Sequence, residues 1–521
     1  MDTNTAQLPL GFWNVAAAHP TRPAVIDSDG TVTTFGELLE RSRSIANTLR
    51  GFDIMPGDHI AAMLPNHRSI FEVFLAAFES GLIVIPVNSH LAAAEVAYVL
   101  QDSDAKAFIT HADLAEVAKL AADAAQVPHQ RRYSVGDIAT FRPYSELLEG
   151  PPTVPDPRVA GTTMMYTSGT TGKPKGVARR LTDVSPDSVY GPAAEITCRG
   201  FGVPVGAHTH LVCGPLYHAG PFVGAFNSLH VGGTIVVMDR WTPEGCLALI
   251  EQHRIASTQM VPTMFHRLVS LPDETRAAAD VSSIRSVFHT GAPCPTSVKQ
   301  KMMDWWGPVV YETYGGTEGA ATIATPQRWL KKPGTVGKAI QGVTVHILGE
   351  DGGELAPDEI GEIWIESATG PSEYYKDPEK TSKMRRGRMI TLGDVGYLDA
   401  DGCLFLRDRK IDMIISGGAN VYPAEVEAAL LEDPVVADAA VIGVPDEEWG
   451  EQVKAIVELK PGVDAGPDTE SEIIDRCRTL IARFKCPRSI DFVDQLPRLP
   501  NGKVEKRRLR TPYWSERDSN I

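Results

Sequence analysis

An α/β protein with mostly parallel sheets, a small antiparallel roll and a compact α+β end is predicted by three features of the sequence. Helix-period and strand-like segments alternate through the first half. Short β-like runs separated by Gly, Asp and Pro clusters take over from Gly334 to Leu406, and a mixed α+β pattern follows Arg407. Strands separated by helices pair in parallel, with the helices on the sheet faces. A chain of 521 residues corresponds to about three folding units at ~150 residues per domain.

The elements follow in order. Ile70, Phe71, Phe74, Leu75 and Phe78 fit one face of a helix that Gly81 ends, and residues 82–87 form an apolar strand. Residues 162–166 read as one strand, with further strands at 211–213, 234–238, 258–261, 286–289 and 309–313, and a helix from about Pro243. The roll, residues 334–406, carries runs at 343–348 and 360–365. The first helix of the terminal unit starts at Pro423 with Glu425 and Glu427 in its first turn, where proline is tolerated and acids oppose the dipole. The boundary is placed within 406–412, dividing the chain into residues 1–408 and 409–521.

Charge and cysteine usage narrow the function classes. Asp and Glu number 66 against 50 Lys and Arg, for a net charge of −16. A field of that sign opposes general binding to nucleic acid or to anionic membrane surfaces, so sites for anionic ligands must be local positive islands. Seven dispersed cysteines form no C-x-x-C pair, which points to reduced thiols and a cytoplasmic location rather than a zinc or redox site. No signal peptide, peroxisomal tail or apolar run of ~18 residues is expected.

Residues 166–177 read Tyr-Thr-Ser-Gly-Thr-Thr-Gly-Lys-Pro-Lys-Gly-Val. Glycines let backbone N–H groups approach a ligand, the hydroxyls of Thr167, Ser168, Thr170 and Thr171 can donate to anionic oxygens, and Lys173 and Lys175 add charge. That composition suits a polyphosphate loop, although a flexible Gly/Thr surface loop shares it. The Walker spacing does not fit, because Pro174 follows Lys173. Tyr314-Gly315-Gly316-Thr317-Glu318 follows a strand-like run; alone, it reads as a strand–turn with a solvated glutamate, or as a phosphate contact plus a ligand for a hard cation. Gly291-Ala292-Pro293 would let a flat ring pack on backbone. His218 in Pro215-Leu216-Tyr217-His218-Ala219-Gly220, taken alone, is a structural hydrogen-bonder more often than a catalytic group.

In order and spacing, these motifs resemble those of the adenylate-forming superfamily: acyl- and aryl-CoA synthetases, peptide-synthetase adenylation domains and firefly-type luciferases. The resemblance spans roughly residues 10–510. It implies a large N-terminal domain of two parallel-type α/β subdomains plus the roll, and a small mobile α+β C-terminal domain carrying Lys503. It further implies that Thr167, Ser168, Gly169, Thr170, Thr171, Gly172 and Lys175 hold phosphates; that Gly291, Ala292, Pro293 and Tyr314 hold adenine; that Thr317 contacts the α-phosphate; and that Glu318 binds Mg²⁺. Asp394 and Arg409 would take the ribose, with Leu392 interrupting the usual Thr-Gly-Asp triplet. Tyr217, His218, Gly220, Gly315 and Gly316 would border the acid, and Gly417 and Gly418 would line the pantetheine path. Lys503, in Pro500-Asn501-Gly502-Lys503, would bridge the carboxylate and the α-phosphate. Ile411 stands at the usual hinge position, where the family has Asp or Lys.

The implied reaction is activation of a carboxylic acid by ATP with release of pyrophosphate, then transfer to coenzyme A. The Tyr217, Ala219, Gly220 and Phe222 surroundings favour a hydrophobic monocarboxylic acid, fatty or cyclic, with a steroid or bile-acid side chain included. The rival readings are loading of a carrier-protein phosphopantetheine, luciferase-type oxidation of the adenylate, and a non-catalytic nucleotide-binding scaffold. A homodimer is the assembly the reading admits.

Overall fold

The computed structural model describes residues 9–167, 174–179, 181–368, 370–409, 411–417, 419–446, 448–499 and 502–514. Two parallel sheets dominate the first part. In one, Pro23–Ile26, Thr234–Val237, Thr209–Val212, Ser257–Met260, Ser286–His289 and Val310–Gly316 run parallel, with antiparallel strands at both edges. The other has six strands, all parallel, built around Ala107–His111, His59–Met63 and Ile83–Pro86. The predicted helices and strands at Pro243–His253, Thr234–Val237, Val343–Leu348 and Pro423–Leu430 are present.

The helix Arg68–Ser80 buries the predicted face of Ile70, Phe71, Phe74, Leu75 and Phe78 and more besides. It is buried on nearly every face, including Glu72 and Glu79. Those two carboxylates are accommodated because Arg41 pairs with Glu72 at 2.6 Å, while Arg43 and Arg158 pair with Glu79 at 2.9 and 2.8 Å. Polar letters in its sequence thus mark buried ion pairs rather than a wet face.

The run 162–166 is two strands, not one. Thr162–Thr163 completes the six-stranded sheet beside Ile83–Pro86, and Met165–Thr167 turns into a separate three-stranded sheet. The break falls at Met164, whose N–H still donates to Val84 O at 3.0 Å. The roll is antiparallel, as its punctuation predicts, but it shares strands with its neighbours. Lys338–Ala339 joins the larger sheet, and Glu373–Tyr374 joins the three-stranded one.

After Arg409 a separate sheet forms around the long antiparallel pair Val436–Asp446 and Gly450–Leu459, with Ser489–Val493 parallel at one side. The helices Pro423–Leu430 and Pro467–Leu480 cover one face through Val426, Leu430, Ile473 and Ile474. The helix Lys506–Trp514 covers the other, where Leu509 and Tyr513 pack on Ile442 and Val444.

Candidate active site

The Tyr-Gly-Gly-Thr-Glu run is a hairpin corner. Val310–Gly316 continues through both glycines, past the predicted strand end at Thr313, and pairs with Gly319–Ala324 so that Thr317 and Glu318 form the turn. The register slips between Tyr314 and Gly315. A Cβ on Gly315 would lie 2.4 Å from Gly319 O, so this close crossing admits only glycine.

Three expected site residues meet here. The Tyr314 hydroxyl donates to Asp394 Oδ2 at 2.8 Å, and Asp394 faces Arg409 across the Met389–Leu398/Leu404–Arg409 ladder, with Nε 3.6 Å from Oδ1. Gly393 supplies the left-handed turn before Asp394, at φ +79°. Burial raises the Asp394 carboxyl, opposed by Arg409, by the Tyr314 hydroxyl and by Lys503.

Lys503 comes from a turn of the C-terminal part, and its charge acts on Asp394 and His218. Its turn closes by hydrogen bonds from Leu499 N–H to Lys503 O and from Gly502 N–H to Leu499 O, both 2.8 Å. Burial and then the Arg409 charge push the ammonium below the ordinary lysine range, while Asp394 and Glu318 pull it up. His218 sits at the start of the helix Ala219–His230. Burial, then Lys503 and His90, hold its imidazole at about 4, so it is neutral at pH 7. Its Nε2 is buried without a hydrogen-bond partner among the described residues. The Tyr217 ring lies 4.5 Å from it.

The wall beside His218 is close-packed. A Cβ on Gly220 would fall 3.1 Å from the Gln259 amide and 3.3 Å from Thr290. Gly291 has φ +94° and open space where a Cβ would stand, so the Gly291-Ala292-Pro293 loop presents bare backbone at the strand end.

Thr167 and Lys175 face each other at the base of an antiparallel hairpin. Ser168, Gly169, Thr170, Thr171 and Gly172, between them, lie outside the described residues. Lys175 Nζ is 2.9 Å from Asp377 Oδ2. The Tyr374 hydroxyl, on the third strand of that sheet, donates to Glu318 Oε1 at 2.7 Å, and Ser372 Oγ donates to Glu318 O at 2.6 Å. Tyr374, Ser372, Asp377 and His90 were not identified from the sequence. Tyr374, Ser372 and Asp377 tie the strand pair of Thr167 and Lys175 to the Thr317–Glu318 turn, His90 acts only on His218, and no local motif flags any of them.

Gly417 is not part of this cluster. It turns the Ile414–Ser416/Ala419–Val421 hairpin at φ +59°, donates its N–H to Trp449 O at 2.8 Å and is exposed; Gly418 lies outside the described residues. Ile411 is 53% exposed. Before it, Asp408 accepts from the Ala424 N–H at 2.8 Å and from the Arg409 N–H at 2.7 Å.

Among the described residues, no group of three or more His, Cys, Asp or Glu side chains is arranged to hold a metal. A single carboxylate at Glu318, with phosphate oxygens and water, is nevertheless a normal donor set for Mg²⁺. No helix among the described residues is long and apolar enough to cross a membrane.

Known proteins resemble this chain over nearly its full length. The feruloyl-CoA synthase of an Amycolatopsis species is 33% identical, over 97% of this chain and 99% of that protein. A fatty acid–[acyl-carrier-protein] ligase of Streptomyces coeruleorubidus is 31% identical, over 96% and 95%. The solved structure of o-succinylbenzoate CoA synthetase from Bacillus subtilis with its acyl-adenylate intermediate superposes with a TM-score of 0.78 at 28% identity, covering 96% of this chain and 98% of that one. The model of the AMP-binding enzyme family matches residues 12–375, and that of the AMP-binding enzyme C-terminal domain matches residues 425–503. The chain belongs to the AMP-binding enzyme family.

Proposed function

We propose that this chain is an ATP-dependent acid–CoA ligase that makes an acyl-adenylate with release of pyrophosphate and then passes the acyl group to coenzyme A. The observation that carries the reading is the convergence of Lys503, Arg409, Asp394, Glu318 and His218, drawn from both family segments and the joint between them. Two anions must meet when a carboxylate attacks the α-phosphorus, so charge neutralisation dominates the barrier. Lys503 bridges the acid and the α-phosphate, and Thr317 donates to the same phosphate. Asp394 and Arg409 take the ribose hydroxyls, and Tyr314 with Gly291–Pro293 takes adenine. Thr167, Lys175 and the residues between them cradle the β- and γ-phosphates.

Glu318 would hold Mg²⁺, which when bound neutralises phosphate charge. The neutral His218 imidazole orients the acid beside Tyr217, Gly220 and Gly315–Gly316. Residues 1–408 form the nucleotide-binding domain, residues 409–521 a mobile domain, and Gly417 with Gly418 lines the thiol path once Lys503 withdraws. The packed, largely uncharged wall favours a hydrophobic monocarboxylic acid.

A second reading, acyl transfer to a carrier protein, is favoured by the similarity to the carrier-protein ligase. Pyrophosphate release measured over a panel of fatty, cinnamic and cyclic acids, with CoA or with a phosphopantetheinylated carrier, separates the two. AMP and pyrophosphate are expected, with thioester only when CoA is present. Formation of ADP, or nucleotide turnover independent of any acid, overturns the proposal.

A further inference from the structure

The hydrogen bonds around the Lys503 turn lead away from the reacting groups to three side chains with no assigned role. Arg498 donates to both Asp438 oxygens, at 2.8 and 2.6 Å, and with its remaining nitrogen to Gly502 O at 2.5 Å. That last acceptor belongs to the residue before Lys503. A bridge between Arg498 and Val504 closes the same turn. The planar guanidinium therefore joins the lysine turn to the strand Val436–Asp446 through a bidentate pair and a third bond, a geometry that an ammonium group cannot reproduce.

The strand end that receives Arg498 is itself docked on the first part of the molecule. The ladder slips between Val436 and Asp438, and the Ala437 carbonyl released by that irregularity accepts from His266 Nε2 at 3.0 Å. His266 lies on the helix Pro262–Val269. At the start of the same helix, Gly502 comes so close that a Cβ would fall 2.8 Å from Thr263 Oγ1 and 3.2 Å from Val261 Cγ2, and its φ is +81°. Two contacts on one helix thus flank the turn, and Arg498 holds them at a fixed separation.

We propose that Arg498 and Asp438, docked through His266, are positioning residues that fix the Lys503 turn in the pose needed for acid activation. The inference rests on the role proposed for Lys503. A turn without the guanidinium still carries the lysine but lets it wander, and misplacement by about 1 Å costs about 100-fold in rate.

The test uses the full-length chain and its two half-reactions. Acid-dependent ATP–pyrophosphate exchange is measured with ferulate, dodecanoate or the panel acid with the highest exchange rate; CoA acylation is measured from the corresponding synthetic adenylate. Arg498→Ala is expected to lower the exchange rate about 100-fold at nearly unchanged KM for ATP, to leave acylation within a small factor of wild type, and to be only partly rescued by Arg498→Lys. Equal loss in both half-reactions, or full exchange activity, overturns it. Lys503→Ala runs in parallel. If it lacks the same split, the reading of Lys503 falls and takes this inference with it; if it splits and Arg498→Ala does not, the positioning role alone falls. Should Arg498→Ala fail to fold, Gly502→Ala, which drives a methyl group into Thr263, is expected to give the same split, and its absence counts against the proposal.

Discussion

Lys299 is buried and Lys503 half-buried, and they sit in opposite settings. Lys299, on the helix Thr296–Trp306, is fully buried; its Nζ is 2.7 Å from Glu312 Oε2 and 5.0 Å from the centre of the Trp329 ring. His289 Nε2 is 3.5 Å from the same carboxylate oxygen. Burial alone would raise the Glu312 carboxyl, but His289 and Lys299 hold it at about 2. His289 and Glu312 face each other on adjacent strands of one sheet, two residues before Gly291 and Tyr314, and Lys299 reaches them from the helix Thr296–Trp306. Lys503 comes from a turn of the C-terminal part and lies among two carboxylates and an opposing guanidinium. A cation satisfied by a dedicated neighbour holds strands in register. The cation proposed to meet an incoming anion instead has a like charge, Arg409, beside it, with Asp394 and Glu318 opposing its shift.

That contrast is broken most severely at Lys299. Lys299→Met leaves Glu312 buried with its principal partner gone, which costs about 3–5 kcal/mol. Thermal denaturation should shift down markedly, and both half-reactions should fall together with the folded fraction. A variant as stable as wild type would show that the pair is not what holds the adenine-side strands. Lys503→Ala tests the other pole. Loss of a charge aimed at the transition state costs about 100–1,000-fold, here in acyl-adenylate formation alone, with the melting temperature little changed. A comparable loss in CoA acylation from supplied adenylate would contradict the assignment.

The same contrast explains what could be read from the chain beforehand. The turn residues of the site are legible through the joint order of several motifs rather than through any one alone; Tyr314, Asp394 and Arg409, singled out that way, lie together in the structure. The helix Arg68–Ser80 buries the apolar face its spacing predicts, while the burial of Glu72 and Glu79 depends on Arg41, Arg43 and Arg158, which only folding brings alongside. The split of residues 162–166 between two sheets was hidden for a similar reason, since periodicity reports an extended backbone and not its partner. Tyr374, Asp377, Arg498 and Asp438 act through long-range pairings that leave no pattern in local sequence.

A smaller effect should follow from the wall proposed to border the acid. Gly220→Ala would bring a methyl group to 3.1 Å from the Gln259 amide and 3.3 Å from Thr290. One added carbon in a packed pocket is worth about tenfold or more in discrimination. KM for the bulkiest accepted acid should rise by about that factor while KM for ATP stays put; an equal rise in both would place Gly220 away from the acid.

The smallest effect belongs to the joint between the two settings. Asp408 accepts from the Ala424 N–H of the C-terminal helix Pro423–Leu430, and burial pushes its carboxyl up to about 6, against the pull of Lys506 and the Ala424 N–H; Glu427 adds to the rise, and the Arg409 N–H opposes it. Glu427 is itself paired with Lys506 at 2.8 Å. Because the folded-state value lies above that of an unfolded aspartate, the folded chain holds the extra proton between about 3.9 and about 6. Folding stability from this group is therefore greatest below that window and declines as pH rises through about 6. Asp408→Asn keeps an oxygen for the Ala424 N–H and removes the ionisation. Its melting temperature relative to wild type should improve between pH 4.5 and pH 7.5 by about 2–4 °C or less, the shift that ~1 kcal/mol produces in a large domain. Parallel melting curves across that range would mean that the carboxylate at the joint is fully compensated, as Glu312 is in the core, and that the difference between the two settings begins only beyond Arg409.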